Sequence, residues 1–217
     1  MKAVALLVAA GSGERLGADR PKAFVALAGR PMYEWSLDVI SEAGLTVVIA
    51  APPGFRLTGS VDGGATRSAS VRNALAAAPA DAEAVLVHDA ARPLVRAELF
   101  LRCLAALADA DAAVAAAPVT DTVKEAGADR VVERTHDRSR LWAVQTPQAF
   151  RRDALERALA VGDDLLAGAT DDASLVERQG GRVVLVESSP ENFKVTTAHD
   201  LRVAELLLSD RVGTTPC

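Results

Sequence analysis

Short, nearly all-apolar runs alternate along the chain with stretches whose apolar residues recur at helical spacing. The runs predict strands at Lys2–Ala9, Leu45–Ala51, Ala84–Val87, Ala112–Ala116 and Arg182–Glu187. None shows the in–out alternation of a sheet with one wet face, so helices must cover both faces, as in a parallel α/β sheet. The intervening periodicity predicts helices at Met32–Glu42, Ser68–Ala78, Ala97–Ala108, Arg152–Ala160, Asp171–Gln179 and Ala198–Ser209. Pro31 marks one helix start, Ser68 reads as an N-cap, and Thr170 followed by Asp171 and Asp172 suits another N-terminus. The pattern defines one α/β domain over residues 1–217.

One stretch breaks the alternation. From Thr120 to Arg140 the chain is polar, and Asp121–Ala126, a Gly127-Ala128-Asp129 turn and Arg130–Thr135 read as a β-hairpin. With Val123, Val131 and Val132 as its large apolar residues, such an arm cannot stabilise itself. It leans on something, a second copy of the chain being the economical choice; a loose surface loop is the alternative.

Composition changes little in this picture. Of 217 residues, 50% are hydrophobic and 24% charged, which excludes disorder and fibrous classes. Cys103 and Cys217 form neither a disulfide framework nor a ligand spacing, in keeping with the cytoplasm. Met1–Ala10 runs directly into a glycine-rich turn, so it reads as a buried strand and not a leader, and no apolar run is long enough for a bilayer. A net charge of -5 opposes a nucleic-acid surface, and any phosphate must be held by local cations.

The first strand ends in Ala9-Ala10-Gly11-Ser12-Gly13-Glu14-Arg15-Leu16-Gly17, with Pro21-Lys22 close behind. A glycine-rich loop leaving a parallel strand exposes backbone N–H groups to a phosphate. The segment is no Walker loop, because Gly-Lys-Ser/Thr is missing, and no dinucleotide fingerprint, because Gly17 falls one residue late and the second strand ends without an acid. Arg15 and Lys22 distinguish it: two cations after such a loop suit a triphosphate, or else they are solvated residues on an ordinary turn. His88-Asp89-Ala90-Ala91-Arg92-Pro93 sets Asp89 and Arg92 just past a strand, at the same sheet edge. Asp89 there can meet Mg²⁺ or a substrate hydroxyl, or simply pair with Arg92. His88 is read as structural, and Trp142 as core. Thr146 lies in a Pro-stiffened stretch, and Lys194, between apolar neighbours, requires an anion to meet.

Together the loop through Lys22, Asp62-Gly63-Gly64 with Arg67 and Ser70, His88–Pro93, Ala117–Lys124, Gln145–Gln148, Thr170–Ser174 and Asn192–Thr196 resemble the 2-C-methyl-D-erythritol 4-phosphate cytidylyltransferase family. The resemblance spans nearly the whole chain. It implies a Rossmann-like nucleotidyltransferase fold, with a mostly parallel sheet covered by helices and a protruding β-hairpin. It implies transfer of CMP from CTP to the phosphate of methylerythritol phosphate, with release of pyrophosphate, on the non-mevalonate isoprenoid route. Mg²⁺ and a homodimer through residues 119–141 follow from it too. By matching position it makes Arg15, Lys22, Arg138 and Lys194 catalytic, and gives Ala9, Ala10, Gly11, Ser12, Gly13, Gly64 and Ser70 to CTP. Asp89, Arg92, Thr122, Thr146 and Thr170 go to the sugar phosphate, with Arg92, Thr122 and Arg138 supplied by the partner. Val8 and Leu16 stand where the family commonly has Pro and Met. Rival readings are a ribitol 5-phosphate cytidylyltransferase, an NAD-dependent oxidoreductase and a nucleotide sensor without turnover.

Overall fold

The structure is a computed structural model that describes residues 1–13, Leu16 and residues 20–213, with side chains to Asp210. Among these residues the strands are β1 (Ala3–Val8), β2 (Ala26–Leu27), β3 (Arg30–Pro31), β4 (Thr46–Ala51), β5 (Ser60–Asp62), β6 (Ala84–Asp89), β7 (Ala112–Pro118), β8 (Lys124–Ala126), β9 (Val132–Thr135), β10 (Trp142–Arg151) and β11 (Val183–Glu187). The helices are α1 (Met32–Glu42), α2 (Arg67–Ala76), α3 (Ala97–Ala105), α4 (Arg152–Leu159), α5 (Asp163–Gly168), α6 (Asp172–Arg178) and α7 (Ala198–Gly213).

Seven strands form one sheet in the order β11-β7-β10-β6-β1-β4-β5. All neighbours run parallel except β10, which is antiparallel to both β6 and β7. The period of two along each strand sorts the core onto two faces. Val4, Leu6, Val85 and Val87 meet Val71 and Leu75 of α2, Leu155 of α4 and Val176 of α6. Ala5, Leu7, Ala84 and Leu86 face the other way, toward Ile40 of α1 and Leu99, Phe100 and Cys103 of α3. Double coverage explains why these strands carry almost no polar residue.

The expected strands and helices are present with small shifts. β6 continues through His88 and Asp89, so Asp89 ends the strand and does not follow it. The last turn of the predicted 97–108 helix tightens into a 3₁₀ turn, Ala106–Ala108. Thr66, not Ser68, caps α2, its side chain accepting from the Ala69 amide at 3.1 Å.

β10 was not legible as a strand because Gln145-Thr146-Pro147-Gln148 interrupts its apolar residues. The pairing register shifts between Val144 and Gln148, and the irregularity absorbs Pro147, which has no N–H for the ladder. Trp142, expected in the core, is only half-buried at the start of this strand.

The hairpin arm exists as β8 and β9, a separate two-stranded sheet. Its strands are joined through residues 127–131, closed by Gly127 N–H donating to Val131 C=O at 3.1 Å, so the connection is longer than the expected three residues. Val131 and Val132 are 61% and 54% exposed, so the arm buries little apolar surface of its own.

Phe150 of β10 is fully buried beneath α4. Phe150→Ala should cost about 3–5 kcal/mol of unfolding free energy; urea denaturation that shifted by less than about 1 kcal/mol would show that β10 is not part of the packed core.

Candidate active site

The parallel strands β1, β4, β5 and β6 deliver their carboxyl ends to one edge of the sheet, and antiparallel β10 starts from that edge. Beyond it lie two adjoining clefts of about 630 and 390 Å³.

The wall of the first cleft is backbone. Lys22 N–H donates to Gly11 C=O at 3.2 Å, folding the chain after the loop back onto it. Gly13, at φ +78°, makes this possible: a Cβ there would stand 2.7 Å from the Cβ of Lys22. Opposite, Gly63 packs so closely on Ala10 that no Cβ fits, with its N–H on Ala51 C=O at 2.7 Å. Ser70 Oγ accepts from Gly64 N–H at 3.0 Å and donates to Thr66 C=O at 2.9 Å. Ser70 therefore lines the cleft while holding the Gly64 turn in shape. Ala9, Ala10, Gly11, Ser12, Gly13, Lys22, Gly64, Ser70 and Lys194 all line this cleft. Arg15 lies outside the described residues.

The clefts meet at Asp89. Its Oδ1 accepts from Arg67 Nε at 3.0 Å and its Oδ2 from Lys194 Nζ at 2.6 Å, and all three side chains line both clefts. The anion that Lys194 needs is thus supplied from within the chain, and Asp89 pairs with Arg67 and Lys194, not with Arg92. Burial opposes ionisation of Asp89, but Arg67 and Lys194, with Arg92 nearby, overcome it and hold the carboxyl well below the usual range. Arg67 passes on to Asp172, its Nη1 donating to Oδ2 at 2.5 Å. Burial works against the guanidinium charge, yet the two carboxylates raise its pKa further above the ordinary arginine value. Arg67 was quoted in the family resemblance without a role, because nothing in the sequence reveals that its partners lie 22 and 105 positions away.

Below the junction a buried network of polar groups supports Asp89. Asp89 N–H donates to Thr146 Oγ1 at 3.0 Å, and that hydroxyl is hydrogen-bonded to His88 Nδ1 at 3.0 Å. Burial pushes the His88 pKa down to about 3 despite the pull of Asp89, so the ring is neutral. Thr146 therefore aims Asp89 as well as lining the second cleft. Arg92 lines the cleft of its own chain, its Nη1 donating to Asn192 C=O at 2.7 Å and Nη2 to Val144 C=O at 3.3 Å, so no partner is needed to supply it. Asn192, fully buried two residues before Lys194, donates through Nδ2 to Gln145 Oε1 at 2.8 Å and Thr146 C=O at 2.9 Å. Thr170 lines the far wall beside Asp171, the N-cap of α6. Thr122 and Arg138 line neither cleft of this chain; both are exposed on the arm, where Arg138 Nη1 donates to Thr120 C=O at 2.5 Å.

The expected Mg²⁺ finds no protein-built seat here. Both Asp89 oxygens already accept from cations, and among the described residues no group of three or more His, Cys, Asp or Glu could hold a metal ion. Asp89 would have to release Arg67 or Lys194 before an oxygen could turn to a magnesium ion.

A mostly parallel sheet with a glycine-rich backbone cleft, opening through shared cations into a second polar cleft, is the architecture of a nucleotidyltransferase. Residues 3–210 match the family model described as IspD: 2-C-methyl-D-erythritol 4-phosphate cytidylyltransferase. A protein of that name from Parasynechococcus marenigrum is 45% identical, covering 95% of this chain and 97% of its own. Another, from Symbiobacterium thermophilum, is 46% identical over 94% and 92%. The crystal structure of the enzyme of that name from Thermus thermophilus matches with a TM-score of 0.81 and 38% identity, covering 96% of this chain and all of the other. The chain belongs to the 2-C-methyl-D-erythritol 4-phosphate cytidylyltransferase family. Among the described residues no helix is long and apolar enough to cross a membrane.

Neutral His88 carries a pH signature. An unfolded histidine binds its proton below about 6.5, whereas folded His88 does so only near 3. The unfolded state therefore holds more protons between these values, and stability falls as pH drops through the window. His88→Gln should flatten the decline between pH 6.5 and 4 by up to about 1.4 kcal/mol per pH unit; urea titrations with the same slope in both proteins would remove His88 as its source.

Proposed function

We propose that the first cleft takes CTP and the second takes methylerythritol phosphate, and that Lys22 and Lys194 are the cations that let the two polyanions meet. The chain is a cytidylyltransferase, converting the two substrates to 4-diphosphocytidyl-2-C-methyl-D-erythritol and pyrophosphate. The observation that carries the division is the shared junction: Arg67, Asp89 and Lys194 face both clefts, so a nucleotide in one and a sugar phosphate in the other would come together there.

The chemistry needs little beyond placement and charge. An oxygen of the sugar phosphate, anionic at neutral pH, attacks the α-phosphorus of CTP. A new P–O bond forms as the bond from that phosphorus to the oxygen bridging to the β-phosphorus breaks, and pyrophosphate leaves with the electron pair. No proton must be removed from the nucleophile, so the barrier lies in bringing negative charges into line. Backbone N–H groups of the Ala9–Gly13 loop and the Lys22 ammonium offset charge on the triphosphate. Arg15 shares this task by the family resemblance. Lys194 and Arg92 attract the attacking phosphate, while Asp89 and Thr170 offer partners to the sugar hydroxyls. Any Mg²⁺ would arrive held by the phosphates, and it enters none of these steps.

The whole chain acts as one nucleotidyltransferase domain, and residues 119–141 serve as the arm of a homodimer. The exposed Val131 and Val132 support this, as does the placement of Thr122 and Arg138 away from their own chain's clefts. A partner's arm would carry both to the second cleft. The acidic net charge and the free, buried Cys103 suit a cytoplasmic setting.

Pyrophosphate release with CTP and a panel of sugar phosphates tests the reaction; release with ribitol 5-phosphate but not methylerythritol phosphate would overturn the acceptor. Lys22→Ala should fold normally and lose about 10²–10³ in turnover; unchanged turnover would take Lys22 out of the mechanism. Arg138→Ala should raise the KM for the sugar phosphate by roughly tenfold, about 1.4 kcal/mol, and spare that for CTP. Equal changes in both constants would contradict delivery of the arm to the acceptor cleft.

A further inference from the structure

Asp172 is the most deeply buried carboxylate in the described chain, with no exposed surface, and it touches neither cleft. Burial raises its pKa, and the Arg67 guanidinium and Ser68 hydroxyl pull back only part of that shift. An isolated carboxylate here would be strongly destabilising, and a buried ion pair adds little stability that well-packed apolar residues would not supply. Its presence therefore calls for a reason beyond holding the fold together.

Arg67 supplies one. It is the first residue of α2, where the aligned peptide dipoles disfavour a cation, and no acidic residue lies in that helix's first turn. Two carboxylates from distant elements hold it there instead. Asp172, first residue of α6, takes Nη1, and Asp89, last residue of β6, takes Nε at 3.0 Å. The guanidinium is thus pinned from both sides, and its grip on Asp89 Oδ1 leaves Oδ2 for Lys194 at 2.6 Å. Without Asp172, Arg67 would keep one anchor, and its free Nη groups could turn toward either cleft.

We propose that Asp172 is a positioning residue for the acceptor side of the reaction: by fixing Arg67 it sets Asp89, and through Asp89 it sets Lys194 at the mouth of the second cleft. The inference rests on the assignment of that cleft to the sugar phosphate. Two features weight the effect toward this side. Asp172 directly follows Thr170 and Asp171, which line the second cleft, so the bond to Arg67 also ties that wall to α2. The nucleotide loop is braced independently, by Lys22 N–H on Gly11 C=O, Gly63 N–H on Ala51 C=O and Gly64 N–H on Ser70 Oγ, none of which passes through Arg67.

The test is Asp172→Asn in the full-length chain, with pyrophosphate release measured while each substrate is varied in turn. The expected result is a KM for the sugar phosphate raised about tenfold, a KM for CTP changed by less than twofold, and recovery of most of the loss in Asp172→Glu, which restores the charge. A lowered melting temperature with both constants unchanged would reduce Asp172 to a structural residue and overturn the proposal, as would equal increases in both constants. If Asp172→Asn does not fold, Asp172→Ser, which removes the charge with a smaller side chain, is read instead: its sugar-phosphate constant must rise at least threefold while that for CTP holds, and no change sinks the idea. Pyrophosphate release by the unaltered chain is the separate control on the reaction. Were it absent, the assignment of the clefts would fail, and the same split would be sought in calorimetric binding of CTP and of the sugar phosphate.

Discussion

The carboxylate of Asp89 is a charge that the fold must neutralise before it can be buried. It ends the strand β6, which lies between β1 and β10, and little of its side chain reaches solvent. Charge in such a place is tolerated only when its oxygens are paired. The partners come from far along the chain: Arg67 from the start of α2, Lys194 from the segment before α7, and the Thr146 hydroxyl, which receives the Asp89 amide, from β10. A slip of any one of these elements would cost Asp89 one of its partners. Closure of the core and assembly of the site are therefore the same event, and the side chains that satisfy Asp89 are those that face both clefts.

Small side chains make this convergence possible. The chain is only 4% aromatic, and β7 is built from Ala112, Ala113, Val114, Ala115, Ala116 and Ala117, all buried. Alanine lets α3 and β10 approach closely, and glycine does the same at the cleft, where Gly63 rests on Ala10 and Gly13 on Lys22. The nucleotide loop is accordingly shaped by backbone contacts with few side chains involved, which suits a surface whose N–H groups must remain available to phosphate.

The parts of this arrangement visible in the sequence are those encoded locally. β1, β4, β6, β7 and β11 are continuous apolar runs, and the long helices carry a 3.6-residue rhythm, so the parallel sheet and its two helical layers could be read directly. The glycine-rich loop, Asp89 and Lys194 could be read as site residues because each is a polar or flexible interruption at the end of such an element. β10 could not, since Gln145 and Gln148 sit inside a strand whose strength comes from β6 and β7. Arg67 stands just before the predicted 68–78 helix, and Asp172 reads as an acid suited to a helix N-terminus. Their meaning depends on a separation of 105 residues that only the fold closes. The arm shows the opposite limit: its hairpin is local and legible, whereas the use proposed for it depends on a second chain.

The two cations on Asp89 are not equivalent, and the difference bears on how an acidic protein can receive a phosphate. Arg67 is held by two carboxylates and its side chain is 25% exposed, whereas Lys194 has Asp89 as its carboxylate partner and is 41% exposed. On the proposed assignment of the clefts, an entering phosphate would compete for the Lys194 ammonium, a flexible point charge, and leave the rigid guanidinium fork in place. Asp89 is never stripped of both partners when Lys194 turns toward the ligand. The cost of moving one cation from carboxylate to phosphate is small, because one charge-assisted hydrogen bond replaces another in the same partly desolvated place. In a chain with a net charge of -5, this exchange brings a cation to the reacting groups without burying an additional one.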